Sequence, residues 1–243
     1  MAFYLSFIRS CIFLAGYTVF TLSYGTLSVF TWLLPPLVRH KIIASWTTLI
    51  VIWLRACCGV RYELRGKEHL EKIKQPAVIL SKHQSTWETF YLQSLFWPAS
   101  TVLKRELLRI PFFGWGLRAM QPIAIDRSNP RNALRQVKNT GIDRIKDGLN
   151  VILFPEGTRT LPGEKRPYAR SGAEIALNAD VNIVPVALNA TVCWPSKSFV
   201  KYPGLVTVVV GPAISPKGKS SKEIMKEVEV WIESEMETLN KTD

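Results

Sequence analysis

The chain has 243 residues, 47% of them hydrophobic, and a formal net charge of +12 at pH 7, so it can bury one sizeable core. A basic chain suggests nucleic acid or an anionic membrane as a partner, but the early basic residues border hydrophobic stretches, which favours the membrane over nucleic acid. The four cysteines show no C-x-x-C spacing, which argues against a disulfide framework and a cysteine metal site.

Residues 10–38 contain no charged side chain, and residues 11–34 form a run of 24 uncharged positions. At about 1.5 Å per residue, a helix of this length could cross the roughly 30 Å hydrocarbon layer. The run is too long for a cleaved signal peptide. Serine and threonine interrupt it repeatedly, so both a spanning helix and a re-entrant helix remain open.

A second apolar stretch, residues 42–54, is bracketed by Arg39-His40-Lys41 and by Arg55. Because 13 residues are too few to cross, the stretch predicts an interfacial helix with Trp46 and Trp53 near the lipid headgroups. The alternative is a pair of core helices in a soluble protein. We interpret residues 1–58 as N-terminal membrane-associated helices and residues 59–243 as a separate domain.

In residues 59–243, short apolar segments alternate with helical patterns. This alternation predicts an α/β fold with a mostly parallel sheet flanked by helices. The predicted strands are 60–64, 76–81, 101–103, 121–125, 151–154, 182–188 and 206–210. The predicted helices are 86–96, 131–146, 172–178 and 222–239.

His83 follows the apolar run at residues 77–80, and Glu88 lies five positions further on. On one continuous helix these side chains would point about 140° apart, so they can meet only if the chain turns between them. Ser85-x-x-Glu88 has the form of a capping box, which supplies such a turn. The pair is thus a candidate general base with its orienting carboxylate. The alternative is a helix-capping glutamate beside an interior histidine.

A second candidate site, residues 154–159, follows the predicted strand at 151–154. Loops at the carboxyl ends of strands are where open α/β sheets bind ligands. Gly157 allows close backbone approach, Thr158 offers a hydroxyl, and Arg159 offers a guanidinium fork suited to phosphate. An ordinary glycine turn with a solvated basic rim is the alternative.

Two further charged groups occur near strand ends. Lys104-Arg105-Glu106 precedes the apolar, aromatic run at 110–116, and these cations could hold a phosphate at the mouth of an apolar channel. Asp126 and Arg127 follow another predicted strand. Either group could instead form surface salt bridges, and for Asp126 and Arg127 taken alone that is the preferred interpretation.

Together these stretches resemble the glycerolipid acyltransferase family, most closely its bacterial 1-acylglycerol-3-phosphate acyltransferases. The resemblance covers residues 76–188. His83 to Glu88 is similar to the H-x4-D block of the family, residues 104–114 with 125–127 to its second region, and 154–159 to its acceptor-binding block. Residues 183–186 are similar to a fourth block, a strand lining the site. One position departs from the pattern, because the family usually has Asp where this chain has Glu88.

The resemblance implies transfer of an acyl group from a thioester to the sn-2 hydroxyl of 1-acylglycerol 3-phosphate, giving phosphatidate. His83 would be the general base, and Glu88 would fix its tautomer. The implied substrate-binding residues are Lys104, Arg105, Arg127, Glu156, Gly157, Thr158 and Arg159. No metal or cofactor is implied beyond the donor, which is acyl-CoA or acyl carrier protein.

The implied partners are lysophosphatidate, the acyl thioester and membrane lipids, without nucleic acid. The implied location is the bacterial inner membrane, with the catalytic domain on the cytoplasmic face. Two alternatives stay open. One is the same chemistry on another lysophospholipid, and the other is a non-catalytic module that recognises acidic phospholipids.

Overall fold

The computed structural model describes residues 2–74, 76–126 and 128–241. Its centre is a seven-stranded sheet. The strands are β1 Val60–Arg65, β2 Val78–Ser81, β3 Ala99–Lys104, β4 Ile123–Ile125, β5 Asn150–Leu153, β6 Ile183–Leu188 and β7 Gly204–Val210.

Helices cover both faces of this sheet. They are α1 Ala2–Phe30, α2 Pro36–Cys58, α3 Lys67–Leu70, α4 Trp87–Leu95, α5 Phe113–Ala119, α6 Pro130–Lys146, α7 Ser171–Ala179 and α8 Ser221–Lys241. Short 3₁₀ turns occupy Thr31–Leu33, Arg105–Arg109 and Ala190–Val192.

The strand order is β1-β7-β6-β2-β5-β3-β4. All neighbouring strands are parallel except the pair β6 and β7, so β1 and β7 run opposite to the other five. The predicted mostly parallel α/β sheet is therefore confirmed. The carboxyl ends of β6, β2, β5, β3 and β4 all meet at one edge.

Successive side chains of the central strands point to opposite faces of the sheet, so the core has two layers. In β2, Ile79 packs with residues of α1, α2 and α4, whereas Val78 and Leu80 pack with α6, α7 and α8. All three side chains are fully buried. A strand that is apolar on both faces can lie only inside a sheet covered on both sides, as its sequence indicated.

The helices α1 and α2 form an antiparallel hairpin joined by residues 31–35. The Trp53 indole donates to the Phe13 carbonyl at 3.2 Å, while Arg9 lies beside Cys58 at the open end. Gly16 faces the Trp53 ring so closely that a methyl group there would overlap it. Both helices are long and apolar enough to cross a bilayer by length and composition.

The prediction of a 13-residue interfacial helix at residues 42–54 is wrong in its length, because α2 has 23 residues. The predicted headgroup position of Trp46 is also wrong. Trp46 is only 5% exposed and packs edge-on against Phe90 and Phe113 inside the core. Trp53 lies half-buried against α1.

Helix α2 begins at Pro36, so the basic residues at 39–41 lie within its first turns, and their side chains contact residues outside the helix. The Arg39 guanidinium lies 4.1 Å from the centre of the Trp32 ring, a cation–π contact. The His40 Nε2 lies 2.8 Å from the Ala99 carbonyl oxygen. Helix α2 thus includes these basic residues and is longer than its apolar stretch. The hairpin shares a core layer with the sheet, and a domain boundary at residue 58 stays a prediction.

Candidate active site

His83, the candidate general base, lies at the carboxyl end of β2. After β2 the chain crosses to β3 through α4 on one face of the sheet, and after β5 it crosses to β6 through α7 on the other. Neighbouring strands whose connections leave in opposite directions open a ligand-binding crevice at their carboxyl ends. His83 lies two residues past the end of β2, at this crevice.

The His83 imidazole is held on two sides. Its Nδ1 lies 2.9 Å from the Glu88 Oε1, and its ring stacks on Phe154 with a centroid separation of 4.0 Å. The side chain is 14% exposed, and no hydrogen bond to its Nε2 is formed by residues 2–74, 76–126 or 128–241. The ring is therefore oriented through Nδ1 and Phe154, while Nε2 is left without a hydrogen-bond partner among these residues.

One oxygen of Glu88 both orients the base and caps a helix. The Oε1 that contacts His83 also accepts the backbone N–H groups of Gln84 at 2.7 Å and Ser85 at 2.6 Å. Glu88 is fully buried. The catalytic and the capping interpretations of this residue are therefore compatible, since the turn that needs the cap brings His83 to the carboxylate.

The predicted capping box is only half formed. The Ser85 hydroxyl donates to the Trp194 carbonyl at 2.7 Å and accepts the Trp87 N–H at 3.3 Å, so it does not cap the Glu88 N–H. Helix α4 accordingly begins at Trp87. The serine instead attaches the turn to the segment that follows β6.

The predicted substrate-binding residue Glu156 points inward. Its Oε1 lies 2.7 Å from the Lys82 Nζ, and its Oε2 accepts the His83 N–H at 2.8 Å. The side chain has no exposed surface. Burial raises the pKa of this carboxyl above its usual value, against the hydrogen bonds from Lys82, His83 and Thr160.

The next three residues form an exposed loop, which we name the 157–159 loop. Gly157 has φ +69°, a left-handed conformation that glycine adopts without strain. Thr158 and Arg159 are exposed, and Arg159 has no ion-pair partner in the part of the chain that the structure describes. Thr160 ends the loop by donating its N–H to the His83 carbonyl at 2.8 Å.

The predicted cations at the end of β3 lie on the same edge of the sheet. Strands are about 4.8 Å apart, so Lys104, two strands from β2, lies about 10 Å to the side of it. The Arg105 guanidinium donates to the Gln136 Oε1 at 3.2 Å. Arg127, also predicted to bind substrate, lies outside the described residues.

The pKa of Asp126 is lowered because the Ser128 hydroxyl and N–H donate to its carboxylate.

A narrow apolar cleft lies between the hairpin and α5. Its volume is only about 10 Å³, so it holds no acyl chain as the helices are packed, and the apolar channel expected beside Arg105 stays a prediction. Its lining residues come from α1, α2 and the segment around α5, and include Tyr24, Ile43, Trp46, Phe112, Phe113 and Met120.

Three residues of this region were not predicted from the sequence. Lys82, which is 2% exposed, is an ammonium at the end of an apolar strand, and that placement alone signalled a buried partner. Thr160 carried no signal beyond its place after the loop. Glu233, 2.8 Å from Lys82, lies on α8 and is 151 positions away, so no local pattern could have found it.

Comparison with known proteins identifies the family of the chain. An acyltransferase family model matches residues 61–189. A 1-acyl-sn-glycerol-3-phosphate acyltransferase of Pseudomonas aeruginosa is 43% identical over 234 residues, which cover 94% of this chain and 90% of that protein. An enzyme of the same name from Limnanthes alba is 33% identical over 169 residues, covering 68% of this chain and 58% of the plant protein.

The fold has a close counterpart among solved structures. The crystal structure of the 1-acyl-sn-glycerophosphate (LPA) acyltransferase PlsC from Thermotoga maritima matches with a TM-score of 0.81 and 25% identity, covering 99% of this chain and 98% of that one. The family predicted from four short blocks is therefore confirmed. The alternative of a non-catalytic lipid-binding module is set aside, and the chain belongs to the acyltransferase family of enzymes.

Proposed function

We propose that this enzyme transfers an acyl group from a thioester to the sn-2 hydroxyl of 1-acylglycerol 3-phosphate, giving phosphatidate. One observation carries the proposal. The His83 Nδ1 is engaged by Glu88 at 2.9 Å, and its Nε2 has no hydrogen-bond partner among the described residues, at the sheet edge that also carries Lys104 and the 157–159 loop. The names of the relatives supply the acceptor.

In the proposed reaction His83 is the general base. Its Nε2 takes the proton of the acceptor hydroxyl while the hydroxyl oxygen attacks the thioester carbonyl carbon. Collapse of the tetrahedral intermediate breaks the carbon–sulfur bond, and the imidazolium returns its proton to the leaving thiolate. Glu88 steadies the imidazolium, as the carboxylate does in a catalytic triad, but no protein nucleophile is needed.

The acceptor phosphate is the proposed ligand of Arg159 and Lys104, with Arg105 and Arg127 nearby in sequence. Arg159 is exposed and free of ion pairs within the described ranges, so its guanidinium is available for a bidentate contact. Anchoring the phosphate holds the neighbouring hydroxyl close to His83, which makes the attack effectively unimolecular. Gly157 and Thr158 would supply backbone and hydroxyl contacts from the same loop.

The apolar cleft between the hairpin and α5 is the proposed route for an acyl chain. The residues that line it belong to α1, α2 and the segment around α5, and α1 and α2 are apolar enough for a bilayer. The hairpin and α5 would have to move apart for a lipid chain to enter there, with its phosphate at the basic edge. The donor is acyl-CoA or acyl carrier protein, whose thioester supplies the acyl group without a further cofactor.

The hairpin is the proposed membrane anchor. The outer face of α1 is apolar and exposed, with Tyr4 73% and Phe30 70% exposed at its two ends. Hydroxyl groups within α1 donate to carbonyls of the preceding turn, for example Thr18 to Leu14 at 2.9 Å, which suits an apolar surrounding. We place the catalytic part on the cytoplasmic face of a bacterial inner membrane.

An acceptor panel tests the proposal. The detergent-solubilised protein is given an acyl-CoA or an acyl carrier protein donor with lysophosphatidate, or with lysophospholipids whose phosphate carries a further headgroup. We expect phosphatidate from lysophosphatidate and little product from the others. A preference for a substituted phosphate would replace the acceptor with another lysophospholipid, and no product from any acceptor would refute the proposed reaction.

A further inference from the structure

A buried group of charged side chains lies directly behind the candidate base. The Lys82 Nζ lies 2.7 Å from the Glu156 Oε1 and 2.8 Å from the Glu233 Oε1, and the Tyr168 hydroxyl donates to the same Glu233 oxygen at 2.8 Å. Removing an ammonium from water is strongly unfavourable without such partners. Through its ion pair with Glu233, Lys82 therefore links the main chain just before His83 to helix α8.

The same group holds the main chain of His83. Glu156 accepts the His83 N–H at 2.8 Å, while the N–H and the hydroxyl of Thr160 lie 2.8 Å and 3.1 Å from the His83 carbonyl oxygen. The Thr160 hydroxyl also lies 3.1 Å from the Glu156 Oε1. Both peptide groups of His83 are thus bound by the residues that flank the 157–159 loop.

We propose that Lys82, Glu156 and Thr160 are positioning residues, which fix the separation between the His83 imidazole and the 157–159 loop. This inference rests on the proposed function, because it assigns that loop to the acceptor phosphate. His83 and the loop that binds the phosphate then move as one unit. A displacement of about 1 Å between reacting groups can cost about 10²-fold in rate, so such a link affects catalysis without touching substrate.

Glu156 itself is unsuited to contact the acceptor. Both of its oxygens are occupied by protein donors and its side chain has no exposed surface. A carboxylate would also repel a phosphate. Its contacts with the Lys82 ammonium and the His83 N–H explain why a glutamate stands in the predicted acceptor-binding block.

Three substitutions test the link. Lys82→Met removes the ammonium and keeps the length of the side chain, Thr160→Val removes one hydroxyl at constant shape, and Thr160→Ser restores that hydroxyl. The matched control is Lys165→Met, because Lys165 also pairs with a glutamate of α8, Glu237, at 2.9 Å, but on the surface.

We expect Lys82→Met to lower kcat about 10- to 100-fold, and Thr160→Val to lower it less, with KM for lysophosphatidate changed less than about threefold. Thr160→Ser should recover most of the rate, and Lys165→Met should stay within about twofold of the unmodified enzyme. Rates are expressed per folded molecule, so a merely structural role would leave kcat unchanged. Unchanged kcat, or a rise in KM alone, would overturn the inference.

Hydrogen exchange supplies a readout that does not depend on the acceptor. The amides of residues 82–84 should exchange faster in Lys82→Met and Thr160→Val, and at the original rate in Lys165→Met. Unchanged exchange in both variants would refute the link even if the enzyme is active. If the unmodified enzyme makes no phosphatidate, the proposed function fails and exchange alone decides the link. Should Lys82→Met fail to fold, Thr160→Val decides it.

Discussion

Glu88 Oε1 lies 2.9 Å from His83 Nδ1, although the two residues are only five positions apart. The approach requires the chain to turn at 84–86, and the same oxygen stabilises that turn by accepting two backbone N–H groups. One buried carboxylate thereby ties the start of α4 to the orientation of the base.

Glu88→Gln separates the charge of this residue from its hydrogen bonds. An amide oxygen can still accept the N–H groups of Gln84 and Ser85, so the melting temperature should stay close to that of the unmodified enzyme. The imidazolium loses its counter-charge, and we expect kcat to fall by about 10²-fold or more. Glu88→Asp keeps the charge and should retain much of the rate. An unchanged rate in Glu88→Gln would reduce Glu88 to a helix cap.

His83→Ala removes the proposed base. We expect acyl transfer to fall by about 10² to 10⁴-fold, since this is the usual contribution of a general base. Acceptor binding and the melting temperature should change little, because the contacts to the His83 main chain remain. Single-turnover rates with bound acceptor measure the loss. Near-normal turnover would refute the mechanism.

Arg159→Ala should raise KM for lysophosphatidate, because a charge-assisted and potentially bidentate contact is lost. Arg159→Lys should recover only part of it, since an ammonium lacks the fork. The control is Arg166→Ala, which removes another exposed arginine of the same segment, one that pairs with Glu164 at 2.6 Å. Equal effects on KM in both alanine variants would show that Arg159 acts only through general charge.

The start of α8 predicts a pH dependence of stability. Ser220 donates its N–H to Glu223 at 2.8 Å and its hydroxyl at 2.7 Å, and these bonds lower the pKa of Glu223 below its ordinary value of 4.5. A lowered pKa in the folded state stabilises the protein above that value, and the contribution is lost as the pH falls through the folded-state pKa. The Glu223→Gln variant should therefore melt below the unmodified protein at pH 6 and closer to it at pH 3. A difference independent of pH would contradict this origin.

The hairpin predicts where the chain begins relative to the membrane. Arg9 lies beside Cys58, and the Ser10 hydroxyl accepts the Lys201 N–H at 2.9 Å, so the start of α1 lies against the catalytic part. In a variant with Cys11→Ser, a cysteine at Tyr4 should resist an impermeant maleimide applied outside intact cells and react after permeabilisation. Labelling of intact cells would support a spanning α1.

The site could be predicted where the chemistry is local. An apolar run ending in His83, a glutamate that can cap the next turn, and a glycine loop with Arg159 are patterns of neighbouring residues, and neighbouring residues largely decide strands and turns. The mostly parallel sheet followed from the alternation of such segments. For the same reason the helix predicted from the sequence covered only the apolar stretch of α2. The basic residues before that stretch contact the ring of Trp32 and the carbonyl of Ala99, which lie outside the helix.

The tertiary structure alone decided which side chains of these patterns face the crevice. Glu156 and Arg159 occupy one short motif, yet one turns inward to Lys82 and the other remains exposed. That choice depends on β5 lying beside β2 and on α8 bringing Glu233 to Lys82. A buried ammonium selects its partners from whatever the topology places within hydrogen-bond distance, and the order of strands in a sheet is not written in any local stretch of sequence.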